Sequence, residues 1–204
     1  MPRQEAGYIE SVCMIIVVVG LPGSGKSTAA QLLKEEGFQV IELGDIWRGL
    51  LREYKIPRDD PKATREFTLW IRKKEGKDIY AKRAVKLIKK SMSNIVIMGV
   101  RSTYEMDYLK RRIKEMKVIA IVSPFKTRFN RLKVRSKPED PKTIEDFRWL
   151  ETRERRGFMS DKKEEKHGVM VLIKSADYVI SNTSSVGELE SDLKGVLEKI
   201  GKKR

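Results

Sequence analysis

A glycine-rich segment that ends in a lysine and two hydroxyl residues stands near the start of the chain. It reads Gly20-Leu21-Pro22-Gly23-Ser24-Gly25-Lys26-Ser27-Thr28, the G-x-x-x-x-G-K-[ST] spacing of a phosphate-binding loop. The glycines allow backbone N–H groups to point inward and surround a polyphosphate at the start of a helix. Lys26 is then expected to reach the β- and γ-phosphates of ATP. Ser27 is expected to offer its hydroxyl to Mg²⁺, with Thr28 beside it.

The residues on either side of this loop favour phosphate binding over a purely structural glycine turn. Residues 14–19 form an apolar run, and its β-branched end Val17-Val18-Val19 is typical of a buried strand. After the loop, Ala29, Leu32 and Leu33 form a helical stripe that ends at Gly37, a residue suited to a helix C-terminus. A strand, this loop and a helix in immediate succession are the context that phosphate binding requires.

Arginines follow the predicted strands at the edge where ligands bind in open α/β sheets. Strand two leads into Gly44-Asp45-Ile46-Trp47-Arg48, and strand three leads into Gly99-Val100-Arg101-Ser102. The next helix carries Arg128, Arg131 and Arg135, of which the outer two lie within about 20° of one helical face. Such a stripe repels itself unless a polyphosphate lies against it, because guanidinium groups match phosphate oxygens. A solvated basic face is the alternative.

The chain is strongly basic, with 44 Lys and Arg against 29 Asp and Glu and a formal charge of +15. This balance predicts an anionic partner, either a nucleotide or a nucleic acid. About half of the excess is assigned to a solvated ion-pair network of the kind found on thermophile surfaces. Arg153, Arg155 and Arg156 belong to that solvated group, because a helix C-terminus favours cations.

The single cysteine, Cys13, can form no internal disulfide, which favours a reducing compartment. No apolar run reaches the roughly 18 residues of a membrane span, and the first residues lack a signal-peptide pattern. These features predict a cytoplasmic protein without a membrane partner. Residues 1–12 are expected to be a disordered extension or to reflect a misplaced start.

Short apolar segments alternate with amphipathic helices, the pattern of a parallel sheet covered by helices on both faces. Five strands are predicted, at residues 14–19, 38–42, 94–98, 118–122 and 177–180. Helix starts are marked by Ser102 with Glu105 and by Ser185 with Glu188, at capping-box spacing. The sequence therefore predicts an α/β fold in a single domain over residues 1–204.

Two segments interrupt this alternation, and both follow the carboxyl ends of strands. Residues 49–91 are mostly helical, with Ala84 and Ile88 on the apolar face of one stretch. Residues 136–157 combine a proline- and charge-rich opening with a helix at 143–156. Because ligands bind at this edge, both segments are candidates for moving lids.

Four further segments, together with the glycine-rich loop, make the chain resemble the nucleoside-monophosphate-kinase group of P-loop proteins. They are Gly44-Asp45-x-x-Arg48, Gly99-x-Arg101-Ser102, Arg131-Leu132-x-x-Arg135 and Asp177-Tyr178-Val179-Ile180-Ser181-Asn182. Within this group the chain is most similar to an archaeal family described as related to adenylate kinase and dephospho-CoA kinase. The resemblance implies a three-layer P-loop NTPase fold whose five-stranded parallel sheet has the order 2-3-1-4-5. It also implies that residues 49–91 bind the acceptor and that residues 136–157 form an arginine-bearing lid.

The resemblance further implies roles for individual arginines. Arg48 and Arg101 would bind the phosphate of the acceptor. Arg131 would lie against the adenine of ATP, and Arg135 would bind the transferred phosphate. The loop after strand five would lie beside the base.

The chain departs from the family at position 98, where Met98 replaces an aspartate that orients a water on Mg²⁺. A thioether is a weak acceptor and a poor partner for a hard cation, so Met98 cannot take that role. Asp45 is the nearest substitute: it would contact the metal through water, hold the acceptor, or act as base for a hydroxyl acceptor. The alternative is a protein that chiefly binds nucleotide and transfers phosphate slowly.

These observations predict an ATP-dependent phosphotransferase that acts with Mg²⁺ on a small, phosphate-bearing, nucleotide-like acceptor. Its predicted catalytic residues are Lys26, Asp45, Arg101 and Arg135. Hydroxyl phosphorylation of the dephospho-CoA-kinase type is one alternative. An ATP-binding protein that holds nucleic acid through its basic surface is the other, although recognisable RNA- and DNA-binding motifs are missing. His167 is interpreted as a surface residue.

Overall fold

The computed structural model describes residues 14–88, 93–136, 140–156 and 168–202 of the 204-residue chain. A sheet of five strands crosses the middle of the molecule. These strands are β1 (Ile15–Val19), β2 (Gln39–Glu42), β3 (Ile95–Met98), β4 (Met116–Val122) and β5 (Tyr178–Ser181). They lie in the order β2-β3-β1-β4-β5, and every neighbouring pair is parallel. The predicted fold class and strand order are confirmed.

Helices connect the strands and cover both faces of the sheet. In chain order they are α1 (Lys26–Glu35), α2 (Leu43–Glu53), α3 (Pro61–Glu75), α4 (Ile79–Ile88), α5 (Thr103–Arg112), α6 (Phe125–Arg135), α7 (Ile144–Arg156), α8 (Val169–Lys174) and α9 (Val186–Gly201). Both predicted helix caps, at Ser102 and Ser185, are present. Within the described ranges, no helix is long and apolar enough to cross a membrane.

The central strand β1 shows why the strands are apolar along their whole length. Its residues are all buried. Ile16 and Val18 pack with Leu33 of α1 on one face, while Val17 packs on the other face with a core that includes Leu109 of α5. A parallel sheet between two helical layers leaves neither face to water, so alternation of polar and apolar residues is lost.

The first three strands begin one residue later than predicted, and the bounds of β4 and β5 also differ. β4 begins at Met116, earlier than predicted, since Met116 pairs with Ile15 of β1. β5 begins one residue later than predicted. Asp177 precedes it and accepts a hydrogen bond from the backbone N–H of Val118 through its side chain, at 2.7 Å.

The first insertion is helical, as predicted, and contains the last five residues of α2 together with α3 and α4. α3 begins after an Asp60 cap and ends at Gly76. Ala84 and Ile88 of α4 are buried, in agreement with the predicted apolar face. Its role in acceptor binding stays a prediction, and residues 89–91 lie outside the described residues.

The second insertion is represented by α7, which packs onto α6. Phe147 of α7 is fully buried, with its ring centroid 4.8 Å from that of Phe125 and 5.5 Å from that of Phe129. Thr143 caps α7 near the predicted start, because its hydroxyl oxygen accepts the Asp146 N–H at 3.0 Å. The role of this insertion as a lid stays a prediction. Residues 1–12, Cys13, 137–139, 157 and His167 lie outside the described residues.

Candidate phosphate-binding site

The glycine-rich loop connects the buried end of β1 to the start of α1. Gly23 and Gly25 have φ angles of 76° and 101°, a region that residues with a Cβ rarely adopt. A Cβ on Gly23 would also stand 2.5 Å from the backbone oxygen of Arg128. The buried hydroxyl of Ser24 has no hydrogen-bond partner within the described part of the chain. Glycine is therefore required at these positions, and the loop retains an unused polar group.

Lys26 lies at the first position of α1 and folds back over the loop. Its Nζ donates a hydrogen bond to the backbone oxygen of Leu21 at 2.9 Å. Burial lowers the pKa of Lys26 to about 8, and repulsion by Arg101 is the next largest cause. Ser27 is exposed and Thr28 is half-buried in the same turn. The loop thus places an ammonium and an exposed hydroxyl side by side, as its sequence predicts.

Arg131 of α6 connects the loop after β5 to the phosphate-binding loop. Its Nη1 donates to the Ser123 hydroxyl at 3.0 Å and to the Asn182 backbone oxygen at 3.1 Å, and its Nη2 donates to Asn182 Oδ1 at 3.1 Å. The Asn182 amide then donates to the backbone oxygen of Ser24 at 2.9 Å. Arg131 and the loop after β5, both predicted to lie beside the adenine, are therefore neighbours.

Arg128 does not belong to an open arginine stripe, contrary to the interpretation from helical spacing. Its side chain is 3% exposed, and its Nη2 lies 2.6 Å from Glu151 Oε1 of α7. It also donates to the backbone oxygens of Ser123 and Pro22, at 3.0 and 3.3 Å. Because α7 packs over this side of α6, the buried Arg128 side chain connects α7 to the phosphate-binding loop.

Arg101 follows β3, and carboxylates bind both its backbone N–H and its side chain. The Glu105 carboxylate accepts hydrogen bonds from the N–H groups of Arg101 and Ser102, at 2.9 and 3.2 Å. Burial raises the pKa of the Glu105 carboxyl, while the Arg72 guanidinium at 3.4 Å opposes that shift. The side chain of Arg101 extends to Glu154 of α7, with Nη1 2.6 Å from Oε1. The predicted capping box therefore fixes the backbone of an arginine at the site.

Arg48 and Asp45 contact each other, and neither occupies a strand. Asp45 follows the predicted strand two, and because helix α2 begins before it, Asp45 lies in the first helical turn with a side chain that is 70% exposed. Arg48 Nη2 is 2.5 Å from Asp45 Oδ1 and 3.5 Å from Glu42 Oε2. Asp45 and Arg48 therefore form an ion pair three residues apart on α2.

Arg135, at the end of α6, is paired in the same manner. Its Nε donates to Asp140 Oδ2 at 2.8 Å. Sequence reasoning named the arginines but missed these acidic partners, Asp140, Glu151 and Glu154. Glu151 and Glu154 are three residues apart, which places them on one side of α7, and this spacing could have indicated that they face the arginines together.

A magnesium ion in this site would need the phosphates of a nucleotide. The described residues contain no group of three or more His, Cys, Asp or Glu side chains that could hold a metal ion. The Ser27 hydroxyl and the cradle of loop amides fit a phosphate-bound Mg²⁺, because this small cation keeps several waters and takes few protein ligands. The Ser27 hydroxyl and the loop amides therefore fit a magnesium ion that binds together with the phosphates of a nucleotide.

Comparison with known proteins identifies the family. A family profile described as an AAA domain matches residues 16–158. A UPF0200 protein of Pyrococcus horikoshii is 35% identical over 192 residues, which cover 92% of this chain and 97% of that protein. The chain belongs to the UPF0200 family. A second UPF0200 protein, from Methanothermobacter thermautotrophicus, is 31% identical over 93% of this chain and 92% of its own length. The resemblance to an archaeal P-loop family is confirmed.

Solved kinases share the fold of this UPF0200 protein. A shikimate kinase from Acinetobacter baumannii, in complex with shikimate, has a TM-score of 0.55 at 14% identity and covers 95% of this chain and 96% of its own. A gluconokinase from Sinorhizobium meliloti has a TM-score of 0.56 at 12% identity. The match covers 95% of this chain and 97% of the gluconokinase. At these identities the likeness shows that the UPF0200 protein has a P-loop kinase fold.

Proposed function

We propose that this protein is an ATP-dependent phosphotransferase that acts on a small, phosphate-bearing, nucleotide-like acceptor. The observation that carries the proposal is the gathering of cations from separate segments around the lysine of the loop. Burial is the largest cause that lowers the pKa of Lys26. Repulsion by Arg101, Arg128 and Arg135 lowers this pKa further, while the Glu154 carboxylate raises it. Each of these arginines is paired with a carboxylate, Glu154, Glu151 or Asp140. Lys26 donates instead to the neutral carbonyl of Leu21, and a polyphosphate on the loop would supply it with a negative partner.

The loop residues have distinct tasks in binding ATP. Lys26 would leave the Leu21 carbonyl for the β- and γ-phosphates, and Ser27 would place its hydroxyl on Mg²⁺. Bound Mg²⁺ would neutralise charge on the phosphates. Arg135 would exchange Asp140 for the transferred phosphate, and Arg131 would stay beside the base. Catalysis would then consist of positioning and charge stabilisation.

The acceptor phosphate is assigned to Arg48 and Arg101. The elements that carry them follow β2 and β3, which are neighbours in the sheet. A phosphate group is already ionised near neutral pH and needs no general base. Each arginine would exchange a carboxylate, Asp45 or Glu154, for a phosphate oxygen.

Phosphorylation of a hydroxyl group is the second candidate, and those same two carboxylates favour it. Asp45 and Glu154 neutralise the two arginines, so a neutral hydroxyl acceptor would not have to displace them. Asp45 would then accept the hydroxyl proton. Two proteins with this fold are named as a shikimate kinase and a gluconokinase.

A screen of ATP consumption distinguishes these candidates. The acceptors are nucleoside monophosphates, dephospho-CoA and small hydroxy acids, and Lys26→Ala is the control for contaminating kinases. Turnover with nucleoside monophosphates is the expected result, whereas turnover confined to hydroxyl acceptors supports the second candidate. Nucleic-acid binding with a steep salt dependence and without turnover on any acceptor would instead favour a nucleotide-binding protein that holds nucleic acid.

A further inference from the structure

We propose that Glu42, the last residue of β2, is the carboxylate that orients the water shell of Mg²⁺ in this site. The inference rests on the proposed function. All five strands end within the described residues, at Val19, Glu42, Met98, Val122 and Ser181. Glu42 is the carboxylate among them, and carboxylate oxygen is the ligand type that suits Mg²⁺ and its bound water.

The register of the sheet places Glu42 on the face that carries the loop helix. Met98 pairs with Val18 on one side and with Glu42 on the other. Residues that lie side by side in paired strands point to the same face. Val18 and Met98 pack with residues of α1, which begins at Lys26. The Glu42 side chain therefore leaves the sheet on the side where α1 lies.

The surroundings of Glu42 leave its carboxylate accessible. Its side chain is 40% exposed. A Cβ on Gly44 would stand 3.1 Å from Glu42 Oε1, and one on Gly99 would stand 3.6 Å from its Cγ. The absence of side chains at both glycines keeps open the space around the carboxylate. Arg48 is held more closely by Asp45 than by Glu42, at 2.5 against 3.5 Å.

The distance across the sheet favours an indirect contact with the metal. Two strand spacings, about 10 Å, separate the backbone of Glu42 from that of Val18. A glutamate on β2 would reach toward the loop and meet a water of the metal rather than the metal itself. Such partners matter, since loss of an outer-shell group typically costs 10- to 100-fold in metal affinity or activity.

Manganese binding tests this assignment independently of turnover. Electron paramagnetic resonance would measure the affinity of Mn²⁺, as a substitute for Mg²⁺, for protein saturated with ADP. We expect Glu42→Gln to weaken Mn²⁺ binding about tenfold or more and to leave the affinity for ADP in EDTA unchanged. The matched control Glu53→Gln, which removes an exposed carboxylate at the end of α2, should bind Mn²⁺ like the wild type, and Asp45→Asn tests the rival carboxylate beside Arg48.

Two other outcomes have separate meanings. Mn²⁺ affinity that is unchanged in Glu42→Gln, or reduced instead in Asp45→Asn, would overturn the assignment of Glu42. Wild-type protein that binds Mn²⁺ no more tightly with ADP than without it would count against the proposed ATP site itself. Retained ADP affinity in EDTA shows that each variant is folded.

Discussion

Arg101 and Glu154 are joined by a hydrogen bond of 2.6 Å although 53 positions separate them in the chain. Arg101 follows β3, and Glu154 lies near the end of α7, so the contact connects the second insertion to the site. The Glu154 side chain is only 8% exposed. A carboxylate of the predicted lid therefore lies against the guanidinium to which we assign the acceptor phosphate.

Replacing Glu154 by Gln should strengthen phosphate binding at Arg101. Because a carboxylate and a phosphate compete for one guanidinium, removal of the charge should raise the affinity for inorganic phosphate by roughly fivefold, or about 1 kcal/mol. Hydrogen exchange should also increase in the last turn of α7. Glu145→Gln, in the exposed first turn of α7, is the matched control. Unchanged phosphate affinity in Glu154→Gln would show that Glu154 does not occupy the anion position.

Lys26→Ala should weaken nucleotide binding strongly while the fold survives. Its Nζ bonds to the loop carbonyl of Leu21 and not to the core, so its loss removes a phosphate contact without opening a cavity. We expect at least a tenfold loss of ATP affinity, about 1.4 kcal/mol, with little change in melting temperature. Lys34→Ala, exposed on the same helix, is the control. Wild-type affinity in a folded Lys26→Ala protein would refute the loop assignment.

ATP binding should be linked to proton uptake at alkaline pH. Burial and the repulsion of Arg101 lower the pKa of Lys26 to about 8, so free protein at about pH 9 holds mostly neutral lysine. Bound phosphates favour the charged form and raise this pKa, so binding should draw a proton and weaken as the pH rises through 8. Calorimetry at pH 9 in buffers of different ionisation enthalpy measures the uptake. Lys26→Arg, which stays charged, should show none, and buffer-independent enthalpies in the wild type would contradict the prediction.

Arg128 should contribute to stability rather than to ligand binding. Arg128→Ala would remove the buried partner of Glu151 at 2.6 Å and leave this carboxylate, which is 10% exposed, with the more exposed Arg155 at 3.0 Å. Breaking a buried pair typically costs about 3–5 kcal/mol. Because Arg155 still pairs with Glu151, we expect a loss near the lower end of this range, which urea unfolding would measure. Arg128→Met combined with Glu151→Leu should regain much of it, because no buried charge remains. A loss below about 1 kcal/mol in the alanine variant would contradict a structural role.

Arg48→Ala and Arg101→Ala should weaken acceptor binding far more than ATP binding. The expected loss is at least tenfold for the acceptor found in the screen, since a charge-assisted pair to phosphate is removed. Calorimetry with each ligand separates the two affinities. Arg52→Ala, exposed at the end of α2, controls for loss of positive charge alone. Equal losses for ATP and acceptor would argue against separate sites.

The sequence alone determined the parts of this protein that depend on neighbours along the chain. The loop at residues 20–28, the β-branched strands and the Ser102 cap follow from local spacing, which is why they were predictable. The strand order followed from resemblance to a family whose sheet is known. The helical position of Asp45 was not predicted, because the start of α2, directly after Glu42, gives no distinct signal in the sequence.

Only the tertiary structure decided which charges meet. Helical spacing gave Arg128 and Arg135 a common face, but the packing of Phe147 accompanies burial of Arg128 alone, next to Glu151, while Arg135 stays 43% exposed. The pairing of Arg101 with Glu154 likewise depends on where α7 lies. Such partners come from elements distant in sequence, and their contact depends on how helices dock rather than on residue type. The register of β2 with β3 in turn fixed the face from which Glu42 projects.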